Sequence, residues 1–256
     1  MSFFGTTDFF LEVGKGNITG HELVTVVMRN ELSTGNLEDI WSGGGVMTYP
    51  TSAETWEIVS TSANDSSAGT GMRTARVVSL DANFDIQEND VTLNGLTPVT
   101  IAGTHIAPRS VFILTQGPGG KNDGAIIVRV AGGGATRNYI VEGFNNSHDG
   151  HYTVPAGKTL FKAFALPYFS KNHSGIVRPR YITNTVGGEG FIGSEIPFYQ
   201  NGREIVLSFQ IPEKTNITFE TESQDPGAQI ICPTRFLQVD NSVLPGGFDE
   251  EELVIS

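Results

Sequence analysis

The stretch from Asp39 to Gly95 most restricts what this chain can become. It holds short β-branched runs separated by clusters of Gly, Asn, Asp and Ser, with no apolar spacing of helical length. A Trp-Ser-Gly-Gly-Gly element occupies residues 41–45, and Asn94-Gly95 closes the stretch with two residues that tolerate the positive φ of a tight turn. Strand-like runs follow one another: TWEIVST (55–61), TARVVSL (74–80), FDIQENDVTL (84–93), TPVTIAG (97–103), SVFILTQ (110–116) and AIIVRVAGG (125–133). The polar stretch NDSSAGTG and the Gly-rich GPGGKNDG read as hairpin loops between neighbours in this series. Later runs include HYTVPAGKTLFKAF, IVRPRYIT, EIVLSFQIPEKTNITFETES and AQIICPTRFLQVD.

Short strands at this spacing predict an all-β protein of β-sandwich or jelly-roll type, either one sandwich or two joined ones, with an extended N-terminal arm. Residues 1–50 are expected to be that arm and docking segment, including a strand over 21–30 and one helical turn over 36–41. Residues 51–240 are expected to form the body, any subdivision falling near 131–150, and residues 241–256 an acidic tail.

Composition removes several function classes. Sixteen Lys and Arg against 28 Asp and Glu leave a formal charge of -12, so the clustered cations that nucleic-acid binding requires are missing. Sixteen Phe supply the apolar surface a disordered chain lacks. The lone Cys232 has no disulfide or metal partner of its own type and reads as a small buried apolar residue. No apolar run approaches a membrane span, and the first residues carry no basic export signal.

Candidate chemistry is thin. His148-Asp149-Gly150-His151 groups metal-ligand types, but two His and one Asp do not close a coordination shell. GPGGKNDG departs from the Gly-x-x-x-x-Gly-Lys-Ser/Thr phosphate loop. Asp81, Asp85, Glu88 and Asp90 lack the spacing of a calcium loop, and Ser42 is not flanked by glycines as a nucleophile elbow needs. No catalytic residue, cofactor site or metal site is therefore nominated. The residues selected instead suit protein interfaces: Phe3, Phe4, Phe9, Phe10 and Leu11 in an aromatic N-terminal stretch, Trp41 beside the glycines, and Arg178, Arg180 and Tyr181 as a cationic and aromatic accent.

Residues 11–99 resemble a class of tailed-bacteriophage virion proteins. The resemblance rests on a Gly-Asn lead, a Glu-Asp-Ile-Trp-x-Gly-Gly-Gly element, an Ala-Gly-Thr-Gly loop and the Leu-Asn-Gly turn, with YTVPAGKT at 152–159 similar to a turn seen in the same class. It implies a subunit of the particle, without saying head, neck or tail; low charge density, aromatic ends and abundant strands then lead to the expectation of a non-enzymatic protein that decorates or cements the head shell. Its expected partners are other virion proteins, the major capsid protein foremost, and its expected state is a homo-oligomer, a trimer by analogy with cement proteins. A tail, neck or fibre-base adaptor is the alternative. A carbohydrate-binding jelly roll, using Trp41, Trp56, Tyr168 or Tyr199, is a third reading.

Overall fold

The computed structural model describes residues 8–31, 33–170, 173–183, 190–192, 196–198 and 205–244. Phe3, Phe4, Tyr199 and the acidic residues 249–252 lie outside that set. The chain is nearly all β, with 49% strand and 4% helix in small antiparallel sheets. After the helix α1 (Phe9–Gly14) come β1 (His21–Asn30) and β2 (Glu38–Asp39). Next are β3 (Trp56–Ser60), β4 (Met72–Leu80), β5 (Ile86–Thr92), β6 (Val99–Thr100), β7 (Ala107–Gln116), β8 (Ile126–Val130) and β9 (Thr136–Ile140). The remainder are β10 (Tyr152–Thr153), β11 (Lys158–Ala165), β12 (Tyr168–Phe169), β13 (Gly175–Thr183), β14 (Gly190–Ile192), β15 (Ile196–Phe198), β16 (Ile205–Ile211), β17 (Thr215–Ser223) and β18 (Ile230–Asp240).

Two sheets are built from the ends of the chain. One has the order β1-β18-β11-β16, with β12 also on β18; the other has β10-β17-β13-β14, with β15 on β13 and β2 on β17. Taking β1, β10, β11, β13, β14, β16, β17 and β18 as strands one to eight, the orders become 1-8-3-6 and 2-7-4-5. Val24, Met28, Leu160 and Phe236 from the first sheet and Tyr152, Val177, Ile217 and Phe219 from the second share one buried cluster. Period-two alternation places these side chains inward and leaves Thr25, Val27 and Arg235 outward.

β3 to β9 form two further sheets, β6-β3-β8-β9 and β5-β4-β7, around a separate cluster. Trp56, Ile58, Val128 and Ile140 enter it from one sheet, and Met72, Ala75, Val77 and Val111 from the other. The chain thus leaves the first pair of sheets after β2, builds the second pair, and returns at β10. A third cluster of Leu80, Phe84, Ile106 and Ala107, with Ala53 and Ala156 against it, lies where the pairs meet. Phe84 sits there at φ 66, a conformation costly for a bulky residue. Its carbonyl accepts a hydrogen bond from the Ala156 amide at 3.0 Å, so turn β4–β5 and turn β10–β11 hold each other.

The structure corrects three expectations. Residues 21–30 are not part of an arm: β1 pairs along all ten residues with β18, since its inward Val24 and Met28 complete the first core. Residues 38 and 39 extend the second sheet as a strand, where a helical turn was expected. The two loops read as hairpins instead cross between sheets, because β3 and β8 lie in one and β4 and β7 in the other.

Asp65 explains why those crossings hold. Its buried carboxylate accepts from Ser60 Oγ at 2.6 Å, and from the amides of Met72 at 2.7 Å and of Asp123 and Gly124 at 2.9 Å. Both loops are thereby tied to one acceptor, and the Ala-Gly-Thr-Gly element lets them approach. A Cβ on Gly69 would stand 1.9 Å from the Asn64 carbonyl oxygen, and one on Gly117 2.3 Å from that of Gly69. Asp65→Ala would strand several buried donors at about 1–3 kcal/mol each. We expect a loss of at least ~3 kcal/mol in denaturant unfolding on that basis; a loss below ~1 kcal/mol would show that water replaces the carboxylate.

Candidate interaction sites

The Glu-Asp-Ile-Trp-Ser-Gly-Gly-Gly element has a clear structural use. Ile40 is fully buried in the first core, while Glu38 accepts from the Thr34 amide at 2.7 Å and the Gly45 amide at 3.3 Å. Trp41 donates its indole N–H to the Gly45 carbonyl at 3.1 Å, closing the loop on itself. A Cβ on Gly43 would fall 2.4 Å from the Trp41 ring, and Gly44 and Gly45 both have positive φ. The glycines are thus needed for close approach and for left-handed backbone. Gly43→Ala should lower stability by roughly 1–3 kcal/mol through overpacking, read as a shifted chemical-denaturation midpoint with an unchanged m-value. An unshifted midpoint would mean that the Trp41 ring moves aside freely.

That segment covers the outer face of β13 and β17, where a charge cluster is buried. Arg180 binds Asp39 Oδ2 at 2.9 Å and Glu220 Oε1 at 2.9 Å, and Arg178 Nε reaches Glu220 Oε2 at 2.9 Å. Asp39 also accepts from the Met47 amide at 2.7 Å. Register explains the grouping: Arg178 stands opposite Glu220 and Arg180 opposite Thr218, while Asp39 faces Glu220 from β2. Burial pushes the Asp39 carboxyl up to about 6, against the opposing pull of Arg180 and the Met47 amide. Arg178 and Arg180, selected from sequence as interface cations, therefore have carboxylate partners within their own chain. Tyr181 is half-buried against the first core, and burial pushes its hydroxyl well up.

His151 stands at the end of this cluster. Its ring lies 5.2 Å from the Trp41 ring, and its Nδ1 is 3.3 Å from the Tyr49 hydroxyl. Burial, with the nearby Arg180 charge adding to it, pushes the imidazole down to about 3. His148 has different surroundings, edge-on to Phe144 at 5.8 Å. Between them Asp149 accepts from Asn138 Nδ2 at 2.6 Å and the Tyr139 amide at 3.0 Å, anchoring the returning segment to β9. Arg137 anchors the outgoing segment, pairing with Glu54 at 2.8 Å and donating to the Thr48 carbonyl at 2.5 Å. Among the described residues no group of three or more His, Cys, Asp or Glu is placed to hold a metal ion.

Burial raises the Asp149 carboxyl to about 7. A carboxyl whose folded value lies above its unfolded value, near 3.9, stabilises the fold fully below the unfolded value and loses that contribution as pH rises through the folded one. Wild-type Tm is expected to fall between about pH 4 and pH 7 relative to Asp149→Asn, which has no proton to lose there, and to run parallel to it above about pH 7. Parallel Tm curves for the two proteins over the whole range would refute this assignment.

A second surface lies on the outer side of β1, β18 and β11. Asp8 caps α1 by accepting from the Phe10 amide at 3.0 Å, and the helix lays Phe10 edge-on to Phe164 at 5.6 Å. Val13 is buried beneath it, while Phe9 and Leu11 face out at 43% and 54% exposure. Val27 and Tyr168 are exposed on the same side. Of the aromatics considered for sugars, Trp41 and Trp56 are buried and Tyr168 is exposed. Among the described residues no helix is long and apolar enough to cross a membrane.

The sequence signalled Trp41, Arg178 and Arg180 but missed Asp39 and Glu220 as the carboxylates that pair with the two arginines. The alternation of Thr218 and Glu220 against Ile217 and Phe219 was visible, yet only strand pairing shows that this polar row faces two arginines and a carboxylate.

No protein-family model matches this chain, and no curated protein sequence matches it. Among solved structures it is similar to that of infectious bursal disease virus, Gx strain, at 10% identity over 88% of this chain and 73% of the other, with a TM-score of 0.27. The crystal structure of the infectious bursal disease virus VP2 subviral particle aligns at 10% identity over 90% and 74%, TM-score 0.26. The Gt strain structure aligns at 9% identity over 89% and 74%, TM-score 0.26.

Proposed function

We propose that this chain is a non-enzymatic structural protein of a bacteriophage virion that decorates or cements the head shell. The observation that carries the reading is the strand order 1-8-3-6 against 2-7-4-5 around one shared core. We read it as a jelly-roll wrap, an architecture used by viral capsid domains, with the second pair of sheets inserted as a further sandwich between β2 and β10. A fold alone does not fix a function. What adds to it is the use made of polar groups: the charge cluster is covered by the chain's own loop, and Asp65 and Asp149 serve as acceptors for backbone and side-chain donors.

Self-association and contact with shell proteins are assigned to the outer face of the first sheet, where Phe9, Leu11, Val27 and Tyr168 offer apolar surface beside the exposed Arg235. Apolar and aromatic centres with an Arg at the rim suit such contacts. The glycan-binding reading keeps Tyr168 from its described aromatics, since both tryptophans are inside. A tail or neck adaptor would use the same face at a lower copy number.

Quantitative mass spectrometry of purified particles tests the assignment. A copy number matching the shell lattice is expected; a single ring's worth would move the protein to the neck or tail, and absence from particles would end the reading. Val27→Asp combined with Tyr168→Asp should leave Tm within about 2 °C, because both positions are exposed, yet abolish incorporation into particles. Normal incorporation of that variant would remove this face from the proposal.

A further inference from the structure

Strand β1 lies at the border of the first sheet, paired with β18 on one side only. The Arg29 amide donates to the His148 carbonyl at 3.1 Å, on the side away from β18, so the odd-numbered residues of β1 turn their N–H and C=O groups outward. Among the described residues nothing pairs with those groups of Leu23 or Thr25. The open stretch has two limits. At one end the returning segment covers Met28 and Arg29 through Asp149 and His148. At the other the chain turns in at Gly20, φ 71, where the His21 amide donates to the Ile18 carbonyl at 3.3 Å. Residues 21–27 lie between these limits. Sheet borders are ordinarily blunted by charge, proline, a bulge or a covering segment. β5 carries the exposed Glu88 and Asp90, and β7 is closed by residues 145–147, which bond the Ile113 amide and the Val111 carbonyl. Leu23 to Val27 of β1 read Leu-Val-Thr-Val-Val, without charge or proline, and follow β18 without a register shift.

We propose that the border of β1 pairs with β1 of a second copy of this chain, antiparallel about Val24, so that two first sheets join into one continuous sheet across a two-fold axis. The inference rests on the self-association assigned above and names its occupant and register. Val24 is the middle of the open stretch, and pairing about it sets Leu23 opposite Thr25 of the second copy, which satisfies the outward backbone groups of both. No like charges meet, because Glu22 stands opposite Val26. The same register sets His21 opposite Val27 of the second copy. Phe9 lies edge-on to His21 at 5.9 Å, and directly opposed residues stand about 5 Å apart, so Phe9 of each copy comes over Val27 of the other. In the single chain these two apolar side chains are 43% and 37% exposed. One register therefore closes the open border and covers exposed apolar surface on both copies, which is what singles out a second copy as the occupant.

Purified full-length protein tests the pairing apart from any place in a particle. Sedimentation equilibrium should show monomer and dimer in exchange. Residue-resolved amide hydrogen exchange at Leu23 and Thr25 should slow by at least about tenfold between dilute and concentrated solution, while the Val24 and Val26 amides, turned toward β18, should not respond. Thr25→Lys changes an exposed position and sets two like charges on diagonal positions of the pair, so it should stay monomeric at a concentration where the wild type is dimeric. A dimer whose Leu23 and Thr25 amides exchange as fast as in the monomer would overturn the pairing and leave self-association to the outer face. Slow exchange of both amides at every concentration would overturn it too, by showing the border covered within one chain. A protein monomeric throughout would remove the pairing together with the self-association it rests on, and its presence in purified particles would still uphold the virion reading.

Discussion

The excursion of the chain out of its first pair of sheets and back is the constraint on which the rest of the structure depends. Both connecting segments must be fixed, or the two cores would be joined only by flexible tethers. Arg137 holds the outgoing segment through Glu54 and the Thr48 carbonyl, and Asp149 holds the returning one through Asn138 and the Tyr139 amide. His151 then sits between Trp41 and Tyr49, so the two segments touch directly. Gly150 allows this contact: at φ 63 it brings backbone close to Ile40, where a Cβ would lie 2.3 Å from the carbonyl oxygen. Polar groups suit the task because a buried donor or acceptor accepts few alternative partners, which fixes geometry more sharply than apolar contact does.

The cluster of Arg178, Arg180, Asp39 and Glu220 illustrates the same logic at greater cost. Removing two cations and two carboxylates from water is unfavourable, and their mutual attraction commonly does little more than offset that. Its value lies in what each mismatch would cost, since displacing the 41–50 segment would strand Asp39 and uncover the cluster. Fixing the path of the segment that leads into the second pair of sheets is the role these charges serve, and it explains why they are turned inward.

Much of the local structure was legible in the residues. The strand runs, the Asn94-Gly95 turn and the buried character of Cys232 follow from periodicity and residue type, and Gly95 has the positive φ that the dipeptide suggested. Long-range pairing was not legible. NDSSAGTG and GPGGKNDG have hairpin composition, but composition cannot distinguish a turn within a sheet from a crossing between two. The distinction lies in Asp65, which joins two local donors, Ser60 and Met72, to two that are remote in sequence, the amides of Asp123 and Gly124. The same limit hid β1: HELVTVVMRN alternates like any strand, and only Ile230–Asp240, some two hundred residues later, makes it part of the core. Arg178 and Arg180 looked like surface cations for the same reason.

The titrating groups at the junction act in opposite senses. His151 is held neutral, at about 3, so protonating its unfolded form below about 6.5 draws the chain toward unfolding as the medium becomes acidic. Asp39 and Asp149, raised to about 6 and about 7, do the reverse and weaken the fold as the medium becomes alkaline. The carboxyl contributions therefore fade as pH rises toward about 7, while the cost of the neutral imidazole grows as pH falls below about 6.5. The contact between the segments joining the two pairs of sheets therefore responds to pH from both sides, a property of where three side chains are buried and not of the overall charge of -12.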